Sequence, residues 1–144
     1  MSSVTATLLD DRSPSEPSRT LRHRATTGTT PAPTDRTRLE GRLAMCDAMI
    51  DLAAALFNVS GRELRRPGRC AMDIARVRQI AMYVTHVTLR LSMNDVGQGF
   101  GRDRTTVLHA CHVVEDLRDD AEFDRIVSVV ERVAAAAFRG RGVA

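Results

Sequence analysis

The residues best suited to bonding a polyanion are gathered between Ser92 and Cys111. Asp103-Arg104-Thr105-Thr106 follows Gly101-Arg102, and Asp is a residue type that caps a helix start. A guanidinium fork at Arg104 bonds in pairs to phosphate oxygens or to a guanine edge. The hydroxyls of Thr105 and Thr106 bond a phosphate or touch a thymine methyl. A helix opening here adds unpaired N–H groups and the positive end of its dipole. Ser92 caps a short helix carrying Met93, Val96 and Phe100; Gly101-Arg102 turns the chain, and the polar helix start follows. That is the shape of a helix-turn-helix, whose second helix enters the major groove of duplex DNA.

Composition narrows the alternatives. All 21 basic residues are Arg and none is Lys. A P-loop ATPase and a Schiff-base enzyme both need a Lys, so both are excluded. A GC-rich genome would produce the same bias without any function. Charge is unevenly spread, although the whole chain of 144 residues is only +3. Residues 62–104 hold nine Arg against four acids, whereas residues 105–144 hold five Arg against seven acids. A positive field is therefore expected mid-chain, where nucleic acid would sit. Cys46, Cys70 and Cys111 form no CxxC and no disulfide framework. Nothing near Met1 resembles a signal peptide, so none is expected, and the sequence holds no run of about 18 apolar residues. A cytoplasmic, nucleoid-associated protein without membrane, nucleotide or cofactor is expected. No nucleophile–base pair stands out, so an enzyme is not expected.

The elements must be helices. Apolar residues make up 43% of the chain but aromatics only 3%, which disfavours a sheet. Residues 1–38, rich in Ser, Thr, Pro and Arg, read as a disordered tail, and residues 140–144 as a disordered end. Arg19, Arg22 and Arg24 would be the contacts if that tail were a DNA-touching arm. Between them lies one domain, 39–139. Its first amphipathic helix runs from about Glu40 to Phe57. Ser60-Gly-Arg-Glu63 has the form of a capping box, and Arg65 to Arg69 form a loop around Pro67 and Gly68. A long helix runs from Asp73, its expected cap, to Leu89, with Ile74, Val77, Ile80, Ala81, Val84, Val87 and Thr88 as the buried stripe. After the two helices of the helix-turn-helix, a last helix spans about Ala121 to Phe138.

The residues carry a more specific signal. Val96 through Cys111 resembles the signature of the C-terminal DNA-binding domain, domain IV, of the bacterial replication initiator DnaA. Ala75-Arg76-Val77-Arg78-Gln79-Ile80-Ala81-Met82 is similar to a second run of that domain, and Arg65 to Arg69 sits where it has a basic loop. The resemblance covers roughly residues 45–118. It implies an all-α, multi-helix, Trp-repressor-like bundle. It also implies minor-groove contact by Arg65, Arg66 or Arg69, backbone contact by Arg76, and reading of bases and phosphates by Arg102, Asp103, Thr105 and Thr106, to which Arg104 is added from its own guanidinium chemistry. Asn94 and His109 complete the expected DNA-contacting set, and His86 falls where the family tends to place a basic phosphate contact, a solvated His being the alternative.

Three departures alter the expectation. Arg104 stands where the family has His, and one Gly of its Gly-Gly turn is missing. Asn94 replaces a Pro. The preferred DNA site is therefore expected to differ from the initiator box. DnaA also carries an ATP-binding motor domain before this one, and a Lys-free chain of this length is not expected to hold it. The function expected is sequence-specific binding of duplex DNA as a transcription regulator, resembling activators of phage-like gene-transfer-agent clusters. Modulation of replication at origin sites and a protein-interaction module are the alternatives.

His109, His112 and Cys111 are metal-ligand types, but all lie within four residues and lack a fourth ligand, so a structural role is expected. Asp116, Asp119, Asp120, Glu122 and Asp124 read as a solvated face, or as an acidic patch for RNA polymerase or a co-regulator.

Overall fold

A computed structural model describes residues 32, 34–68 and 71–140. These form six helices and no strand: α1 (Asp35–Phe57), α2 (Gly61–Arg65), α3 (Met72–Val87), α4 (Met93–Phe100), α5 (Arg104–Leu117) and α6 (Ala121–Ala137). The expected tail and the expected final segment lie outside the described residues, except at their inner ends.

Helix α1 begins within the segment read as a tail. Thr34 accepts the Thr37 N–H at 3.3 Å, and Arg36 pairs with Glu40 at 3.0 Å. This first turn is closed by a cap and a surface ion pair, so it needs no apolar residue. Further along, Cys46, Met49, Ile50 and Ala53 fall on one face and are buried. Asn58 ends the helix in the left-handed region, with φ 53°.

Two expected caps are not formed. Ser60 precedes α2 but makes no side-chain cap, and Ala71 rather than Asp73 stands at the cap position of α3. Asp73 lies in the first turn instead, where its charge complements the helix dipole. Cap and first-turn acid share one sequence signal.

Helix α3 is the central element, packing against each of the other five helices in turn. It buries Val77, Ile80, Ala81 and Val84 as expected, but also Met82, Tyr83, Thr85 and Arg78. Val87 is 46% exposed, because the helix ends there. Each fully buried Val, Ile or Met contributes about 1.5–3 kcal/mol of transfer free energy. Leu64, Leu91, Val96, Phe100, Val107, Val114, Val127 and Val130 complete the core.

Polar side chains tie the helices together where apolar packing ends. Arg42 of α1 pairs with Asp95 of α4 at 2.9 Å. Arg118, just after α5, pairs with Asp124 at 2.6 Å and Glu131 at 2.8 Å on α6. It also donates to the Tyr83 hydroxyl on α3 at 3.2 Å. Asp124, read as part of a solvated acidic face, is thus held by an ion pair. Asp120 caps α6 by accepting the Phe123 N–H at 2.8 Å.

Candidate nucleic-acid interface

Helices α4 and α5 make the helix-turn-helix. Ser92 caps α4 by accepting the Asp95 N–H at 3.1 Å. At the other end, the Arg102 N–H bonds the Gly97 carbonyl at 2.8 Å and the Gly101 N–H bonds that of Gln98 at 3.3 Å. This pair of bonds is a Schellman closure, and Gly101 supplies its left-handed residue at φ 65°. Asp103 then caps α5, accepting the Thr106 N–H at 2.7 Å. Val107, Ala110, Cys111 and Val114 bury one face of α5. Arg104, Thr105, Thr106, His109 and His112 lie exposed on the other.

The Thr106 backbone N–H, its hydroxyl and the Thr105 N–H hold the Asp103 carboxyl below its ordinary pKa of 3.8. The ionised cap therefore stabilises the helix start above that value, and the contribution is lost as the pH falls through the lowered folded-state value. Asp103→Asn keeps an acceptor for the Thr106 N–H but has no proton to gain. Acid titration of the α5 amides by NMR should show the wild-type helix start loosening below about pH 4 while that of the variant does not. Identical acid profiles would refute this role of the carboxylate.

Arg104 occupies an electrostatically awkward place. It is the first residue of α5, beside the positive end of the helix dipole, where a cation costs about 0.3–1 kcal/mol. It is exposed and has no ion-pair partner among the described residues. An anion brought to this helix start would meet both the free N–H groups and the guanidinium.

A cleft of about 190 Å³ joins this helix to the basic loop. Gly68 of the loop, Ala75, Arg78, Gln79 and Met82 of α3, Arg102 of the turn, and Thr106, His109 and Ala110 of α5 line it. The structure thereby brings together four separate sequence segments. Arg76 reaches the rim by donating to Gln79 Oε1 at 2.9 Å. Arg66 projects from the loop with its side chain 68% exposed and only a long 3.7 Å pairing to Glu63. Arg69 and Cys70 lie outside the described residues.

Other candidates are placed elsewhere. Arg65 turns back onto α1, pairing with Asp51 at 3.1 Å and Asp47 at 3.5 Å. These acids are 14 and 18 residues away, beyond what local spacing reveals. Asn94 is exposed in the first turn of α4. His86 is held within the fold, its Nδ1 2.7 Å from the Leu91 carbonyl. Gln79 and Arg78 line the cleft although sequence reasoning singled out neither; both belong to the run 75–82, and Gln79 lies one turn from Arg76.

Metal chemistry has no support in the geometry. Among the described residues, no group of three or more His, Cys, Asp or Glu is placed to hold an ion. Cys111 is buried, and burial beside Glu115 pushes its thiol pKa up. Burial, with Asp47 and Asp95 nearby, pushes the Cys46 thiol up to about 12. Both are therefore poor nucleophiles and ligands. No helix among the described residues is long and apolar enough to cross a membrane.

Comparison with known proteins agrees with this geometry. Residues 46–114 match the family described as the bacterial DnaA protein helix-turn-helix. Residues 46–114 are thus DnaA domain IV-like. The DnaA-type domain is a DNA-binding module, and its match runs from the middle of α1 to the last turn of α5. The chain is 37% identical over 86 residues to the chromosomal replication initiator protein DnaA of Lachnoclostridium phytofermentans. That alignment covers 58% of this chain and 19% of the relative, so the chain spans about a fifth of the relative's length. Two solved structures share the fold at 24% identity. One, a DNA replication initiation factor, superposes with a TM-score of 0.60 over 66% of this chain and 29% of its own. The other, a replication initiator DnaA bound to AMPPCP and single-stranded DNA, gives 0.59 over 69% and 30%.

Proposed function

We propose that this chain binds duplex DNA sequence-specifically and regulates transcription. In this reading α5 enters the major groove with Arg104, Thr105, Thr106 and His109 toward the bases and phosphates. Arg66 and Arg69 lie along the minor groove, and Arg76 contacts the backbone. The observation that carries it is Arg104, exposed and without an ion-pair partner among the described residues, at the capped start of a helix whose Thr106 and His109 line one cleft with Gly68 of the basic loop. Arg104 replaces the family's His, and its longer, permanent cation favours a different base. A reader with its own site belongs at promoters rather than at initiator boxes. Asp116, Asp119 and Glu122 remain exposed and are the acids available to RNA polymerase or a co-regulator.

In vitro selection from random duplexes should return one site, and chromatin immunoprecipitation should place it at promoters. Arg104→Ala should relax preference at one base position, by about 1–3 kcal/mol of discrimination. Arg66→Ala should weaken all sequences alike and lower the salt slope by roughly 0.9. Equal, sequence-independent losses in both variants would refute this division of labour. The name of the matched relative favours a second reading, competition for replication-origin sites. Tight binding to initiator boxes, with no enrichment at promoters, would select it.

A further inference from the structure

Two inward-facing arginines converge on one carbonyl. Arg78, buried in α3, donates from Nε to the Leu64 carbonyl at 2.8 Å and from Nη2 to those of Glu63 and Arg66 at 3.0 and 3.3 Å. Arg102, in the turn between α4 and α5, donates from Nη2 to the same Arg66 carbonyl at 2.6 Å. Hydrogen bonds from a charged donor are the stronger kind. The Arg66 backbone is thus gripped from within the fold while its guanidinium points outward. Arg102 itself is fixed, since its N–H is bonded to Gly97 and it immediately precedes the Asp103 cap. Two peptide bonds therefore separate the grip on the basic loop from Arg104.

We propose that Arg102 is a positioning residue, not a DNA contact. It clamps the basic loop to the helix-turn-helix, so that Arg66 and Arg104 are presented to the two grooves at a fixed separation. The inference rests on the duplex-reading function proposed above. The physical reason is entropy. A loop containing Pro67 and Gly68 that is ordered before binding loses less freedom on the DNA than a free one. Losing the clamp therefore weakens binding without changing how many phosphates are neutralised.

The test uses the full chain and the variants Arg102→Met, Arg102→Gln, Arg66→Ala and Arg102→Met/Arg66→Ala. Hydrogen exchange of residues 64–68 is measured without DNA. It should be roughly tenfold faster in Arg102→Met and intermediate in Arg102→Gln, whose amide still donates to a carbonyl. On the selected duplex, both Arg102 variants should keep the wild-type salt slope. The double variant should bind no more weakly than Arg66→Ala, because coupled sites are not additive. Unchanged loop exchange would overturn the proposal. So would a salt slope lowered by roughly 0.9 in Arg102→Gln with losses that add, since that is a phosphate contact. Should Arg102→Met fail to fold, Arg102→Gln carries the same comparison. If the wild-type chain binds no duplex, the functional reading fails, and the exchange data alone decide the clamp.

Discussion

Gly97→Ala should unseat the helix-turn-helix. A Cβ placed on Gly97 would stand 2.7 Å from the Arg102 carbonyl oxygen, inside van der Waals contact with backbone rather than with a movable side chain. Relief requires the turn to move, and that turn carries the Arg102 side chain and the cap of α5. Overpacking of this kind costs about 1–3 kcal/mol. It is opposed by about 0.5–1 kcal/mol gained because Ala is the better helix former. The net loss of stability is expected to be modest, about 1–2 kcal/mol. The loss of DNA affinity should be comparable, roughly tenfold, since each 1.4 kcal/mol of misplaced contact is a factor of ten. Gln98→Ala, one residue along the same helix and exposed, serves as the control and should leave both nearly unchanged. Calorimetry and fluorescence anisotropy on the selected duplex would measure the two effects. A Gly97→Ala protein as stable as or more stable than wild type, with wild-type affinity, would mean that propensity alone governs this position.

The glycine shows where sequence reading succeeds and where it stops. Ser92, Asp103 and Gly101 were legible because a cap or a left-handed turn depends on residues within three positions. The resemblance to DnaA domain IV likewise rested on contiguous motifs, and the all-α fold followed from helical spacing of apolar residues. What was not legible depends on contacts between distant segments. Arg65, one of three alternatives for the minor groove, pairs with Asp47 and Asp51 of α1. Arg78 lies next to Val77 on the buried side, where a charged residue is not anticipated. Its burial is tolerated because three backbone carbonyls of α2 and the basic loop meet it. No local pattern announces such an arrangement, since the acceptors are main-chain atoms with no residue identity. The carbonyl that Arg102 meets is likewise 36 residues away, so no local pattern shows that bond.

Arg118→Met should cost more stability than any substitution on the exposed face of α5. Arg118 was absent from every sequence-based expectation, yet it is the junction of α3, α5 and α6. Its guanidinium pairs with Asp124 and Glu131, donates to Ser128 at 3.3 Å and to the Tyr83 hydroxyl, and lies 5.8 Å from the centre of the Tyr83 ring. Tyr83 in turn donates to Glu115 at 2.7 Å. Removing the cation leaves Asp124 and Glu131 facing each other, with the half-buried Glu131 carboxylate unpaired. Breaking a fully buried pair costs 3–5 kcal/mol, but Arg118 retains 21% side-chain exposure, so about 2 kcal/mol is the reasonable expectation. For a domain of this size that is a fall in Tm of roughly 8–15 °C. Replacing the whole set with apolar residues would cost less, because no charge would be stranded. Burial, with the Glu115 hydrogen bond adding to it, pushes the Tyr83 hydroxyl up to about 12 from its ordinary 10.0. The neutral phenol is therefore favoured in the folded state, and stability should decline as pH rises from 10.0 toward 12. Tyr83→Phe should lessen that decline, leaving the part set by the raised Cys46 and Cys111 thiols, and should keep the Arg118 ion pairs in place. Thermal melts of the three proteins between neutral and alkaline pH would measure both effects. If Arg118→Met melts within a degree or two of wild type, the junction is a surface ion pair with no net contribution, and α6 is held by Val127, Val130 and Ala134 alone.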